Sequence, residues 1–565
     1  FYLKKKIFRN YFFFEKILYS LFFISFYVLV FNFVTYLNNL VIYLILLIIL
    51  IMSLFYISKS DLISFKNNLF VIFAISLISV IMQPGYDAGL YHIPYQTWIK
   101  NYKILLGFSE LNLRFSLGSI YNYTSVLFWN NNIFLFVTYL TSLFYLIFFL
   151  FIKEYLNSSN KKITYGILLI VTIPLWERYI YPSYSLVDAQ FGIISLITLS
   201  LIFFNLRNWH NGKIDLKDIF LISILLSFIF TLKSSGILFL PLALYLFFLI
   251  TFKIKDKKHL YLPYIILLVF LAFWMLRGFI ISGCFFYPIG VTCLPVDWFN
   301  YENLKYINNE ISLYAYQPFK IINFNFLISE NMIAILIFLI ISIIITYLFI
   351  KYLLKYQNSK INNILFLLFV LIYTFVVFKI GDLRGFSRLV EANDIIFVKK
   401  IIINEILFFT IILTSAFFII LIKFKHLILK INLRTFLLIE TRIFYFLLFL
   451  ISIWILKAPQ PRFGFGFIPL LLPMFYLIFF EIKNKKIDIK LQNSLKFALI
   501  VFALYIPVVN IDKDTKFIYD LKKINYQKIE KRNKFGSRPL FQNLCWNSKN
   551  CYIGEDKIII KKIIF

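Results

Sequence analysis

Charge is scarce in this chain. Asp, Glu, Lys and Arg make up 15% of its 565 residues, where a soluble domain carries about 25%. Acids are scarcer still, 27 against 58 Lys and Arg, which leaves a formal net charge of +31. Cysteine and histidine occur four times each. So little charge excludes a water-covered globule of this length. So few Cys and His, without two short Cys pairs around a compact knuckle, argue against a zinc module. P-loop, GxGxxG, HExxH and CxxC motifs are absent, so nothing supports ATP hydrolysis, dinucleotide binding or zinc proteolysis.

Apolar side chains are what the sequence does have: 61% of residues are hydrophobic and the mean hydropathy is +0.83. They lie in blocks. "FLFVTYLTSLFYLIFFLF" (Phe134 to Phe151) and "NMIAILIFLIISIIITYLFI" (Asn331 to Ile350) hold no charge over the roughly 18 residues that span a bilayer. Neither has the polar stripe of a soluble core helix. The basic excess sits in short clusters between these blocks, which is the positive-inside pattern and not a nucleic-acid face. The 71 Phe and 38 Tyr, with abundant Ile, Lys and Asn, follow an AT-rich coding bias and carry little functional weight.

The reading is an all-α polytopic membrane protein of about fifteen spans, placed at 17–36, 39–57, 69–83, 133–152, 163–176, 188–206, 218–232, 236–252, 260–280, 331–351, 362–380, 401–423, 436–456, 465–481 and 494–509. Segments 218–232 and 236–252 are separated only by "KSSG", and a re-entrant hairpin is the alternative there. Lys and Arg cluster in every short loop of one set. The opposite set holds the long loops 84–132, 281–330 and 381–400 and the segment 510–565. This places the N-terminus inside and the C-terminus outside, in a bacterial inner membrane. No small-residue cleavage site follows the first apolar block, so no cleaved signal peptide is expected. The transmembrane unit covers 1–509, followed by a small external segment, and no internal repeat is evident.

The four cysteines form two close pairs, Cys284 with Cys293 and Cys545 with Cys551, both on the side assigned as external. An oxidising compartment suits disulfides, so the two arguments agree.

The outer loop 84–132 is too polar to span and too apolar to run free. Leu90, Ile93, Trp98 and Ile99, then Leu117, Ile120, Tyr121, Leu127 and Phe128, recur near helical spacing. They predict two amphipathic helices at the outer interface. Asp87, Tyr91, His92 and Gln96 project to one side if the first helix already runs from Asp87. An acid beside a His at a membrane surface is costly without a partner or a task. The plainer alternative is that Asp87 caps the helix.

A membrane-proximal Asp at the start of the first large outer loop, followed by two juxtamembrane helices, resembles the GT-C superfamily of glycosyltransferases. The strings "YDAGLYHIPYQTWI", "NLRFSLGSIYN", "TLKSSG", "RGFIISGCFFYPI" and "PQPRFGFGF" are also similar to an uncharacterised bacterial family of multipass, GT-C-like envelope proteins. The likeness runs to about residue 470. Three spans precede the loop here, where the superfamily typically has one. The resemblance implies transfer of a sugar from a polyprenyl-phosphate donor to an envelope glycan or lipid on the outer face, with Asp87 in the place of the catalytic Asp.

That chemistry needs a base for the acceptor hydroxyl and cations for the departing phosphate. Asp87 is the candidate base, with His92 as alternative base or orienting neighbour. Lys233, Arg277 and Arg462 are candidate phosphate ligands at helix ends, with snorkelling to headgroups as the alternative for each. Small residues beside Lys233 (Ser234, Ser235, Gly236) and Arg462 (Gly464, Gly466) allow close approach. Arg384 and Arg388, one turn apart, could grip a phosphate or pair with Glu391 or Asp394. Asp188 is a second acid for acceptor or a divalent ion, or else a cap. Gln96 and Tyr91 are further acceptor contacts. No cofactor is required, a divalent cation is the one candidate, and the partners are bilayer, lipid-linked sugar and acceptor, with no nucleic acid. The rival readings are an O-antigen polymerase or ligase, and a flippase for lipid-linked sugars, which would need polar residues along its spans.

Overall fold

The computed structural model describes residues 11–56, 59–81, 83–84, 92–127, 135–172, 183–184, 187–253, 261–320, 441–457, 464–479, 489 and 492–500. Fourteen helices carry the argument: α1 (Phe13–Val34), α2 (Asn39–Tyr56), α3 (Lys59–Ile81), α4 (Ile93–Asn101), α5 (Ile120–Val126), α6 (Leu135–Leu150), α7 (Asn160–Thr172), α8 (Val187–His210), α9 (Leu216–Leu232), α10 (Leu240–Lys253), α11 (Tyr261–Ser282), α12 (Tyr301–Lys320), α13 (Thr441–Lys457) and α14 (Leu471–Phe479). Among the described residues one two-residue parallel pair, β1 (Gln83–Pro84) with β2 (Ser183–Tyr184), joins them.

Five helical stretches among the described residues are long and apolar enough to cross a membrane: Phe13–Val34, Leu140–Ser158, Val187–His210, Ser234–Phe252 and Pro263–Ser282. Shorter apolar helices add Asn39–Ile51, Leu62–Ser76, Arg442–Trp454 and Ile468–Ile478. The expected spans 331–351, 362–380 and 401–423 lie outside the described residues. Several boundaries move, and two of the shifts have a local cause. α3 starts ten residues before the expected 69, because helix geometry continues past the apolar core and leaves Lys66 exposed. α10 starts at Leu240 and not at 236, because a 3-10 turn, Ser234–Phe239, takes up the link after α9.

Ring contacts give the helix directions. Tyr19 meets Phe220 (5.2 Å), Phe22 meets Phe270 (4.8 Å) and Phe33 meets Phe273 (5.6 Å), so α1, α9 and α11 run the same way. α6 runs against α1, since Phe151 beyond its last turn packs on Phe14. α8 and α9 form an antiparallel hairpin: Trp209 Nε1 donates to Asp218 at one end (3.3 Å) and Asp188 pairs with Lys233 at the other. α10 reverses again, with Phe239 on Phe191 near the start of α8 and Phe247 on Tyr264 near the start of α11. Segments 218–232 and 236–252 are therefore two successive helices of opposite sense.

This alternation collects Pro84, Asp188, Lys233, Arg277 and the 284–293 loop at the end that the charge pattern assigns to the outside. At the opposite end Lys217 pairs with Glu15 (2.7 Å) and Glu154 accepts the Phe14 amide (3.2 Å). Large apolar side chains stay exposed at helical spacing, as Leu40, Tyr43, Leu47 and Ile51 on α2 and Leu240, Leu244 and Phe248 on α10. In water each would cost burial free energy, whereas against lipid none does.

The outer-loop helices correct an expectation. α5 does not lie at the interface, since all seven of its residues are buried, and it packs against α1, α4 and α6. It tolerates that site because most of its polar groups are bonded there. Ser119 caps it by accepting the Tyr121 amide (3.2 Å), Thr124 shares a hydrogen bond with Ser25 of α1 (2.7 Å), and Tyr121 shares one with Thr141 of α6 (2.7 Å).

Candidate functional site

Two arrangements occupy the outer-assigned end. The first surrounds Arg277. It lies on α11, five residues from the helix end, and is 2% exposed. Its Nε donates to the hydroxyls of Tyr95 (3.1 Å) and Tyr123 (3.2 Å), and Nη2 donates to the Phe115 carbonyl (3.0 Å) and to Tyr95. Nη1 reaches the Ser116 carbonyl at 3.4 Å. The two phenols share a hydrogen bond of 2.8 Å. The guanidinium also sits 4.8 Å from the Trp274 ring centre, a cation–π distance. Burial pushes the Tyr95 hydroxyl well above its usual range, against the pull of Arg277, so it stays neutral and can donate and accept. Gly118 makes room: a Cβ there would lie 2.3 Å from Arg277 Nη2 and 2.7 Å from Tyr95 Cε1.

The planar fork is thus spent on the outer loop, which it staples to α11. Tyr95, Tyr123 and Gly118 did not stand out in the sequence as functional. The signal for them is slight, a glycine amid aromatics in "FSLGSIYNY".

The second arrangement joins two residues 45 positions apart, Asp188 in the first turn of α8 and Lys233 at the end of α9. Their side chains are 14% and 24% exposed, so the pair stands at a boundary and is not sealed in the core. Lys233 has extended backbone (φ −150°, ψ 142°), which turns the chain from α9 into the Ser234–Phe239 turn. Gly236 fits closely there, since a Cβ would lie 2.1 Å from the Ile229 carbonyl oxygen. The register of the parallel pair sets Gln83 beside Ser183 and Pro84 beside Tyr184. The chain segments leading to Asp87 and to Asp188 therefore start side by side.

Between the two arrangements runs a buried polar band. His92 Nδ1 and Asn122 Oδ1 are 3.2 Å apart, with the imidazole donating. Gln190 Nε2 donates to Thr141 (3.0 Å), which also bonds Tyr121. Gln96 is fully buried on α4. Among the described residues, Asn122 Nδ2, Gln190 Oε1 and Ser195 Oγ have no hydrogen-bond partner. Buried amides and hydroxyls left so are costly, and a hydroxyl-rich ligand could satisfy both donor and acceptor.

Cys284 and Cys293 form a disulfide with Cα atoms 3.8 Å apart. Its loop packs with Tyr287, Leu304 and Ile307 in a small core. Arg114 pairs with Glu310 of α12 beside it. Asp87, Tyr91, Arg384, Arg388, Arg462, Cys545 and Cys551 lie outside the described residues. Among the described residues, no three His, Cys, Asp or Glu side chains come together to hold a metal ion.

Comparison with known proteins returns no curated protein and no solved structure that matches. One family does match, described as a domain of unknown function (DUF8201), over residues 2–390. That range takes in the whole outer loop, both members of the Asp188–Lys233 pair and Arg277. Covering more than half of the sequence, the match makes this chain a member of the DUF8201 family.

Proposed function

We propose that this protein is a membrane glycosyltransferase of GT-C type, with about fifteen spans in a bacterial inner membrane, the N-terminus cytoplasmic and the C-terminus external. It transfers a sugar from a polyprenyl-phosphate donor to an envelope glycan or lipid. The observation that carries this reading is the meeting of Lys233 with Asp188 beside the start of the outer loop. Asp87 is the third residue after Pro84, so their Cα atoms are at most about 11 Å apart. Base and phosphate ligand must both touch one sugar–phosphate unit, and this placement allows it.

In this reading Asp87 takes the proton of the acceptor hydroxyl, and Lys233 holds the departing phosphate with Arg462. His92, buried and bonded to Asn122, suits the orienting part better than that of a base. Arg277 keeps the loop in place, and the polar band of Gln96, Asn122 and Gln190 offers hydrogen bonds to hydroxyls. Arg384, Arg388 and Tyr91 remain proposed contacts, and a divalent ion at Asp87 and Asp188 remains an option of the chemistry.

The test is transfer of radiolabel from a panel of undecaprenyl-phosphate-linked hexoses and pentoses, in membranes that carry the full chain. Asp87→Asn keeps the shape and removes the base, so transfer should fall by about 10²-fold. Equal transfer by the wild type and Asp87→Asn would remove the chemical support for the assignment.

A further inference from the structure

Lys233 is a point charge on a flexible stem, and a point charge can change partners. It pairs with Asp188, and both side chains keep some exposure, 24% and 14%. One turn below Asp188 on α8, Phe191 packs on Phe239 (6.3 Å), the last residue of the turn that follows Lys233. From the next residue α10 presents Leu240, Leu244, Phe247, Phe248 and Phe252 as an exposed apolar stripe, up to 80% exposed at Phe252. An apolar chain lying along that stripe has its polar head near the ion pair.

We propose that the Asp188–Lys233 pair is a latch on a phosphate-monoester subsite, with Asp188 occupying Lys233 until a lipid phosphate replaces it. This rests on the glycosyltransferase reading and adds a regulating role to Asp188. A phosphate monoester carries between one and two negative charges and three acceptor oxygens, so it outcompetes a single carboxylate for the ammonium. Freeing Lys233 costs the free energy of its pair with Asp188, and this cost weakens binding. Asp188 therefore lowers affinity for the phosphate. An acid that served as a ligand to the donor would raise it.

The experiment measures binding to the full chain purified in dodecyl maltoside, with undecaprenyl monophosphate and inorganic phosphate as separate probes. Asp188→Asn should bind undecaprenyl monophosphate about five-fold more tightly, the scale of a partly exposed pair. Lys233→Met should weaken binding at least as much. The double variant should match Lys233→Met alone, because in the latch the acid acts on the phosphate through the lysine. Asp188→Ser, with thermal midpoints measured for every variant, guards against a folding defect of Asp188→Asn. The same order of affinities with inorganic phosphate supports the latch with a free anion as its source, and an effect confined to the undecaprenyl probe supports it with lipid as the source. Weaker binding by both Asp188 variants overturns the latch and leaves the transferase reading standing, as does an equal gain from Asp188→Asn with or without Lys233. Failure of both probes to bind wild type and all variants overturns latch and phosphate site together, while donor transfer that depends on Asp87 still tests the enzyme separately.

Discussion

Arg277 and Lys233 look alike in the sequence and differ in the fold. Each is a lone cation near the outer end of an apolar helix with a glycine close by. Arg277 is buried, bonded to two phenols and two carbonyls, and closed in by Trp274 and Gly118. Lys233 is a quarter exposed and pairs with Asp188 at a boundary. A guanidinium can satisfy five donors inside protein, so it can be built in as a staple. An ammonium at an edge keeps its freedom to exchange. The difference teaches that burial and the set of acceptors, not the residue type, separate a structural cation from one able to meet a ligand.

The contrast is broken most directly at Arg277. Arg277→Met should cost about 3 kcal/mol or more, because it orphans two hydroxyls and two carbonyls in a buried site. The readout is the thermal midpoint, together with new protease cleavage in 84–132. Arg277→Lys should recover little, since an ammonium cannot reproduce the fork. Full stability of Arg277→Met would show that the staple is not needed.

A smaller effect is expected at Gly118. An added methyl would press on Arg277 Nη2 and Tyr95 Cε1 at 2.3 Å and 2.7 Å, and overpacking of this kind costs about 1–3 kcal/mol. Gly118→Ala should lower the midpoint in the wild type but much less beside Arg277→Met, where space has opened. Tyr95→Phe should cost about 1 kcal/mol, the worth of a net hydrogen bond, and tests whether the phenol or only its ring holds the staple.

Lys233→Met closes the series. The pair it breaks is partly exposed, which limits the loss of stability to about 0–1 kcal/mol, while its effect on phosphate binding should be the larger of the two cations. A Lys233→Met protein that unfolds as readily as Arg277→Met would erase the comparison.

Much of this was legible beforehand. The apolar blocks named the helices α1, α2, α6, α8, α9 and α11 to within a few residues, because each contains a run that must leave water. The eight-residue gap between Cys284 and Cys293 gave the disulfide, since so short a gap holds the thiols within reach. Asp188 and Lys233 could be placed at one end by counting spans. Their pairing could not, because 45 residues and a whole antiparallel hairpin lie between them. The loop 84–132 was legible as amphipathic, which suggested helices at the outer interface, yet Tyr95 and Tyr123 face Arg277, Tyr121 faces Thr141 and Thr124 faces Ser25. Periodicity reports that a helix has two faces and does not report what covers either one.

The sequence by itself determined that the chain is helical, apolar beyond what water tolerates, and divided by basic clusters into alternating segments. These are properties of local composition, and the free energy of moving each run out of water sets them segment by segment. Only the tertiary structure decided that the described part of the outer loop, 92–127, sinks between α1, α6 and α11, that Arg277 is a staple, and that Asp188 holds Lys233. Those outcomes depend on which donors and acceptors meet when distant helices pack. A buried polar group takes whichever partner the packing brings within about 3 Å.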